Sequence, residues 1–297
     1  MEERKDDVTR RSFMVNGSAA VGAIGLVAGL GVGSLVDVRK AQAAKTTILK
    51  FPALPLDVEK VRLWGYCEYH ANGGCGQGTG RALVMGFIEA ARKAGMKETG
   101  WSLLPPKFTQ WGRAGGLDWG GTCGSLTGCL SILNLAEHKG ELLHDKLGGS
   151  LIDWYTKQNF PFTGWDGVKI DRKAYPNVPA PIPDAEVMAR DIPESMLCHV
   201  SVTKWMKAAG ADLTTKTKDG RNVKKDRCAK VTGATAARAA ELINAYLANA
   251  AIPAFAPTAD YAECYSCHSA AQNVQGKQNC TPCHQEGTAT LIGKDHP

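Results

Sequence analysis

Two short cysteine–histidine motifs near the C-terminus constrain this chain of 297 residues more than any other feature. Residues 264–268 read Cys-Tyr-Ser-Cys-His and residues 280–284 read Cys-Thr-Pro-Cys-His. C-x-x-C-H is the pattern of c-type haem attachment, in which both thiols bond to the porphyrin and the histidine ligates the iron. Paired C-x-x-C is also zinc spacing, but a histidine directly after both pairs favours haem. We therefore predict two covalently bound haem c groups, with thioethers at Cys264, Cys267, Cys280 and Cys283 and proximal ligands at His268 and His284.

Each haem iron needs a sixth ligand, and five other histidines could supply it. We expect His70, in a polar, glycine-rich turn, and His296, within the haem segment, to be the distal ligands. We assign His138 and His144 to the solvated surface and His199 to a core helix.

The N-terminus has the order of an export signal. Arg10 and Arg11 precede an apolar stretch rich in Gly and Ala at 15–36, and a small-residue cleavage site follows at 41–43. The twin arginines indicate a Tat-type signal, whereas the glycines weaken the alternative of a transmembrane anchor. Residues 1–43 are therefore predicted to be removed, leaving a periplasmic protein without stable membrane insertion.

The composition excludes a disordered chain and gives no support for a nucleic-acid partner. Hydrophobic residues make up 44% and charged residues 22%, which is ordinary for a globular protein. The net charge is only +6, and basic residues occur at most in short pairs.

Residues 44–251 are predicted to form an all-α helical bundle domain with long irregular loops. Apolar positions recur at helical spacing within 83–91, 126–135, 142–155, 194–209 and 225–250. The connection 159–193 contains several prolines and is expected to be a surface loop or arm. Residues 252–297 have few large apolar side chains, so we expect a small C-terminal dihaem-binding segment with little secondary structure, packed on its haems.

Six further cysteines lack C-x-x-C spacing, so any metal site among them must be assembled by tertiary contact. From the residues alone, disulfides are the better interpretation in an oxidising compartment. These cysteines are Cys67, Cys75, Cys123, Cys129, Cys198 and Cys228.

The sequence around Cys123 resembles a family of redox-active proteins with a C-G-A-x-x-G motif. Residues 122–128 read Thr-Cys-Gly-Ser-Leu-Thr-Gly, with Ser125 where the family usually has Ala, and a Trp-Gly-Arg and a Gly-Gly pair precede them at 111–116. The family has four characteristic cysteines, which Cys75, Cys123, Cys198 and Cys228 match in order and context. Cys67 and Cys129 lie outside the pattern and are interpreted as buried thiols.

The whole arrangement, a C-G-A-x-x-G domain followed by two haem motifs behind a Tat-like signal, resembles the split-Soret cytochromes c of sulfate-reducing bacteria. That resemblance implies a homodimer of dihaem subunits with stacked bis-histidine haems, and an axial histidine that could cross the dimer interface. It also implies a non-haem iron centre, of the [2Fe–2S] type, on the four family cysteines.

The function expected from these features is electron transfer between unidentified periplasmic redox proteins, without enzymatic activity. Two axial histidines saturate a haem iron and exclude substrate. The alternatives are a haem-dependent reductase, if one iron lacks its distal ligand, and a thiol–disulfide oxidoreductase.

Overall fold

The computed structural model describes residues 49–97, 99–267, 269 and 276–279, which lie in the compact unit Leu49–Pro297. The predicted signal peptide, both proximal histidines, the second haem motif and His296 lie outside the described residues. No described helix has the length and apolar character needed to cross a membrane.

The described chain is mostly helical, which confirms the all-α prediction. Seven helices are separated by irregular connections, and the only strands are a two-residue antiparallel hairpin, β1 (Glu137–His138) and β2 (Glu141–Leu142), within the described part. Three short 3₁₀ turns occur at Gly100–Leu103, Gln110–Gly112 and Asp184–Glu186, and one distorted helical turn at Arg113–Gly116. The helices are α1 (Val58–Asn72), α2 (Cys75–Lys93), α3 (Gly124–Leu133), α4 (Leu143–Lys157), α5 (Cys198–Ala209), α6 (Val223–Leu247) and α7 (Ala262–Cys267).

Helix α6 is the central element of the bundle. Most of its alanines are buried, and it packs against α1, α2, α3 and α4. Helix α6 comes close to α1, where a Cβ on Gly65 would lie 2.9 Å from the Gly233 Cα. Small residues on α6 therefore let the backbones of its neighbours come into van der Waals contact.

Helix α1 was not anticipated from the sequence. Residues 58–72 mix charged, aromatic and glycine residues and have no continuous apolar stripe. The Asp57 side chain caps the helix by accepting a hydrogen bond from the Lys60 N–H at 3.1 Å. Packing against α2 and α6 supplies the remaining stabilisation.

The connection 159–193 is irregular, as predicted, but it is not a surface arm. Several of its large side chains are buried, because the buried Asp226 on α6 holds the connection against the bundle. Asp226 accepts hydrogen bonds from the Ile182 N–H and the Tyr66 hydroxyl, each at 3.0 Å, and pairs with Lys230 at 3.0 Å. The buried large residues of the connection are Phe160, Trp165, Ile170, Tyr175, Val178 and Ile182.

Asn244 ties the segment before α1 to the end of α6. Its side-chain oxygen accepts from the Leu56 N–H at 2.7 Å, and its amide donates to the Leu56 carbonyl at 2.8 Å. Asn244→Ala should cost about 2 kcal/mol, because both backbone groups lose their partner. Thermal unfolding followed by circular dichroism should show the midpoint falling by about 4–8 °C. An unchanged midpoint would contradict this role.

Candidate functional site

Four cysteines meet where helices begin. Cys75 is the first residue of α2, Cys123 directly precedes α3, Cys198 is the first residue of α5, and Cys228 lies in the second turn of α6. The N–H groups at a helix N-terminus carry partial positive charge, which favours a thiolate over a thiol. These four cysteines are called the four-thiol site below.

Hydrogen bonds hold three members of the four-thiol site in place. The thiols of Cys75 and Cys123 hydrogen-bond to each other. The Cys123 N–H donates to the Met196 carbonyl at 2.8 Å, and the Cys198 N–H donates to the Gly121 carbonyl at 2.7 Å. The fourth thiol, on α6, is near enough for its charge to act on Cys75 and Cys198. All four are free cysteines, so the disulfides favoured from the residues alone are not formed among them.

The glycines of the 122–128 motif make this meeting possible. A Cβ at Gly124 would collide with the Cys75 sulfur and the Gly112 carbonyl oxygen. A Cβ at Gly128, one turn later, would collide with the Gly76 carbonyl oxygen and the Thr79 hydroxyl on α2. The glycines of the motif therefore allow α3 to pack directly against α2.

Ser125, the departure from the family pattern, has a partner of its own. Its side chain is buried, and its hydroxyl lies 3.2 Å from the Thr232 hydroxyl on α6. Thr232 also donates to the Cys228 carbonyl at 2.7 Å. A serine is thus accommodated without an unpaired buried hydroxyl.

The thiols of the site differ in acidity. The hydrogen bond with Cys123, followed by burial, raises the pKa of Cys75. Burial and the Cys123 charge raise the pKa of Cys198 to about 12. The hydrogen bonds from Cys75, Tyr155 and the Ser125 N–H, together with Arg227, lower the pKa of Cys123 to about 6. The surroundings of the site therefore favour the thiolate form most strongly at Cys123.

Two cations flank the sulfurs. The Arg227 guanidinium is buried and hydrogen-bonds with Cys228. Lys224, one turn before Cys228 and half-buried, has its pKa raised chiefly by Cys228 and further by Cys198 and Cys75. Both positive charges favour ionised sulfur ligands.

The donor set fits an iron–sulfur centre, for which four cysteine thiolates are the usual ligands. Four thiols are equally a zinc donor set. Among the described residues, no three His, Cys, Asp or Glu side chains already stand in metal-binding geometry. Metal binding would therefore require the thiol side chains to reorient while it displaces their protons.

The described residues of the C-terminal segment border a cavity. The first haem motif begins on α7. The residues before α7, together with residues 276–279, border a space of about 390 Å³, and α4 and residues 192–196 border it on the other side. Its lining is mainly apolar, with Lys157 and Lys277 close to the Phe255 ring, at 5.8 and 5.5 Å from its centroid.

His70 lies in the last turn of α1 rather than in the glycine-rich turn where we expected it. Its ring packs against Tyr66 at 4.9 Å and Tyr69 at 5.2 Å. Burial and the Lys225 charge lower its pKa to about 4, and its Nε2 is buried with no hydrogen-bond partner among the described residues. Distal ligation by His70 stays a prediction, and it would require these aromatic rings to move.

His199 is a second candidate ligand that the sequence analysis assigned to a core helix. It lies on α5 as expected, but its side chain is exposed. Its Nδ1 is 2.8 Å from the Gly120 carbonyl oxygen, and since a carbonyl only accepts, Nδ1 must donate. The neutral ring then has an unprotonated Nε2, the state in which histidine ligates a metal. Its position directly after Cys198 was the available signal.

Cys67 and Cys129 are buried free thiols, in agreement with their interpretation. Burial raises the pKa of both, to about 12 for Cys67. The Cys129 sulfur faces the Thr235 carbonyl oxygen at 3.7 Å, within the main core.

A known family model matches the part of the chain that contains three of the four cysteines of the site. Residues 107–242 match the family model described as "Putative redox-active protein (C_GCAxxG_C_C)". That range contains Cys123, Cys129, Cys198 and Cys228 but not Cys75, whose place in the site rests on its contacts.

One protein is similar over nearly the entire chain. Split-Soret cytochrome c of Desulfovibrio desulfuricans is 27% identical, over 98% of this chain and all of the relative. A solved structure described as "A novel iron centre in the split-Soret cytochrome c" superposes with a TM-score of 0.58 at 26% identity, covering 82% of this chain and 93% of that one. By sequence and by fold, the chain is similar to split-Soret cytochrome c.

Proposed function

We propose that this protein is a periplasmic electron carrier with two haem c groups and a [2Fe–2S] centre held by Cys75, Cys123, Cys198 and Cys228. The meeting of four free thiols from four separate helices carries the proposal. Its support is the similarity to a cytochrome c whose solved structure is described as containing an iron centre.

The residues around the four-thiol site suit a centre that changes charge without moving protons. When bound, such a centre accepts and returns single electrons. The helix N-termini, the Ser125 N–H and the Tyr155 hydroxyl stabilise negative sulfur, and Cys75 and Cys123 are almost fully buried. Limited access of water to these two sulfurs lowers the local dielectric, which is one of the factors that set the reduction potential of such a centre.

The haem proposal rests on the two C-x-x-C-H motifs. The cavity bordered by the residues that precede α7 offers an apolar surface on the N-terminal side of the first motif. The sequence suggested His70 and His296 as distal ligands. We add His199 as a third candidate, because its side chain is exposed and its Nδ1 contacts the Gly120 carbonyl oxygen. With both axial positions filled, each iron would exchange electrons rather than bind substrate.

Export, assembly and partners complete the proposal. The twin-arginine signal would carry the chain to the periplasm with the four-thiol site already folded. The resemblance to split-Soret cytochromes c supports a homodimer. Donors and acceptors are expected to be other periplasmic redox proteins, and the excess of basic residues slightly favours acidic ones.

The test is a redox titration of the purified protein with haem and non-haem iron counted separately. We expect two haems and two non-haem irons per chain, and an electron paramagnetic resonance signal from the reduced centre. Absence of non-haem iron, or zinc in its place, would remove the iron–sulfur part of the proposal.

Carbon monoxide distinguishes electron transfer from haem catalysis. A reductase needs an open iron position, whereas irons with two histidine ligands have none. The reduced protein is therefore expected to show no change in its optical spectrum on addition of carbon monoxide. Stoichiometric binding would favour the reductase alternative and contradict a pure electron carrier.

Thiol–disulfide exchange is the second candidate, and one observation favours it. Cys123 has a lowered pKa and contacts a second thiol, which is the arrangement that such chemistry uses. However, both sulfurs are buried, at 7% exposure for Cys75 and 6% for Cys123, which restricts the access of even a small disulfide substrate. Ready oxidation of these thiols by a disulfide reagent in the iron-loaded protein would support this alternative.

A further inference from the structure

Arg227 is buried beside the four-thiol site and belongs to no ion pair of the described residues. Its residue is 3% exposed, and it directly precedes Cys228 on α6. One guanidinium nitrogen donates to the Ser201 hydroxyl at 2.8 Å and to the Ser201 carbonyl at 3.3 Å. The guanidinium also hydrogen-bonds with the Cys228 sulfur.

Four other arginines of the described chain do form ion pairs, and each of these pairs lies near the surface. Arg227 differs, because its neighbours are sulfurs, hydroxyls and the Trp205 ring, whose centroid is 5.9 Å from its Cζ. Its Nε has no acceptor among the described residues. The paired arginines are Arg62, Arg113, Arg221 and Arg238.

A buried cation without a counter-charge destabilises a fold by several kcal/mol. The groups that can carry negative charge around Arg227 are Cys123, Cys228 and the Tyr155 hydroxyl. Cysteine ligands of an iron–sulfur centre are thiolates, so the loaded four-thiol site supplies the opposite charge that the buried Arg227 requires.

We propose that Arg227 is the buried counter-cation of the iron centre, a positioning residue that stabilises the thiolate ligands and favours the reduced state. This inference rests on the proposed function, because it assigns a role at the same site. Lys224 contributes less, since it is half-exposed and water screens its charge.

The effect on electron transfer follows from charge balance. Reduction adds one electron from the donor to the centre and makes it one unit more negative, while oxidation returns that electron to the acceptor. Arginine stays protonated throughout, so neither step takes a proton from it. A fixed positive charge at hydrogen-bond distance stabilises the more negative state more strongly.

The experiment compares three variants of the full-length, cofactor-loaded protein. Arg227→Met removes the charge, and Arg227→Lys keeps it. Arg238→Met is the matched control, because Arg238 lies on the same helix with its Cζ also 5.9 Å from a tryptophan ring, that of Trp154, but remote from the sulfurs. Electron paramagnetic resonance during a redox titration measures the centre, and the haem potentials serve as an internal reference.

Arg227→Met is expected to shift the reduction equilibrium at least about tenfold toward the oxidised form, which is about 59 mV for a one-electron couple. Arg227→Lys should recover most of that shift, and Arg238→Met should show none. Loss of iron from Arg227→Met alone, with Arg227→Lys still loaded, would also support the role as counter-cation.

Three outcomes would overturn the inference. An unchanged potential in an iron-loaded Arg227→Met protein would overturn it while leaving the proposed function intact. Loss of iron from both Arg227 variants, with Arg238→Met loaded, would assign a shape requirement instead of a charge. Wild-type protein without non-haem iron would overturn the proposed function and this inference together.

Discussion

Cys75→Ser should abolish binding of non-haem iron while both haems stay attached. The Cys75 sulfur contacts Cys123 and lies within the electrostatic reach of Cys198 and Cys228, so its removal leaves three ligands where an iron–sulfur centre uses four. The two C-x-x-C-H motifs lie in a separate part of the sequence, so we expect their haem attachment to be independent of the four-thiol site. The measurements are non-haem iron and acid-labile sulfide per chain, with haem determined on the same sample.

Cys129→Ser is the matched control for this result. Cys129 is also buried, lies on α3 six residues after Cys123, and falls within the range matched by the family model, whereas Cys75 falls outside it. Because its sulfur faces the Thr235 carbonyl, we expect its replacement to leave the iron content unchanged. Loss of iron from Cys129→Ser and its retention in Cys75→Ser would show that the four-thiol site is wrongly composed.

The spacing of apolar residues predicted most of the helices, but it did not predict how the helices and connections pack against one another. The stripes within 83–91 and 142–155 predicted α2 and α4 because each buries one face. Helix α1 was not predicted from the sequence, because its packing uses Gly65 and aromatic residues at a close helix crossing rather than an apolar stripe. The burial of the connection 159–193 was not predicted, because the hydrogen bond that holds it comes from Asp226, which lies far along the chain.

The composition of the four-thiol site came from resemblance and not from spacing. Its members lie in or directly before four different helices with long connections between them, and nothing local in the sequence determines which thiols meet. The structure supplies the reason in the glycines at 124 and 128, which carry no side chain because sulfur, carbonyl and hydroxyl atoms of α2 occupy that space. Glycine as a steric requirement at a helix crossing was not inferred from the motif. Likewise, Arg227 gave no signal in the sequence, since a single arginine on a predicted helix is ordinarily a surface residue.

Gly128→Ala should therefore destabilise the protein and disrupt the four-thiol site. The added Cβ would collide with the Gly76 carbonyl and the Thr79 hydroxyl, so α3 must move away from α2 and carry Cys123 away from Cys75. Overpacking between backbones of this kind costs about 3 kcal/mol. The thermal midpoint should fall by about 6–12 °C for a chain of this size, and non-haem iron should be lost in parallel.

Gly149→Ala provides the control, and its expected effect has the opposite sign. Gly149 lies on the exposed side of α4, where a Cβ would meet nothing within 4 Å. Alanine there reduces the entropy of the unfolded chain and should stabilise the protein by about 0.4–1 kcal/mol, with the iron content unchanged. Equal midpoints and equal iron content for the two alanine variants would contradict the account, because the collision at α2 is what separates them. A midpoint that falls in Gly128→Ala with full retention of iron would show that the α2–α3 crossing supports the fold without positioning the thiols.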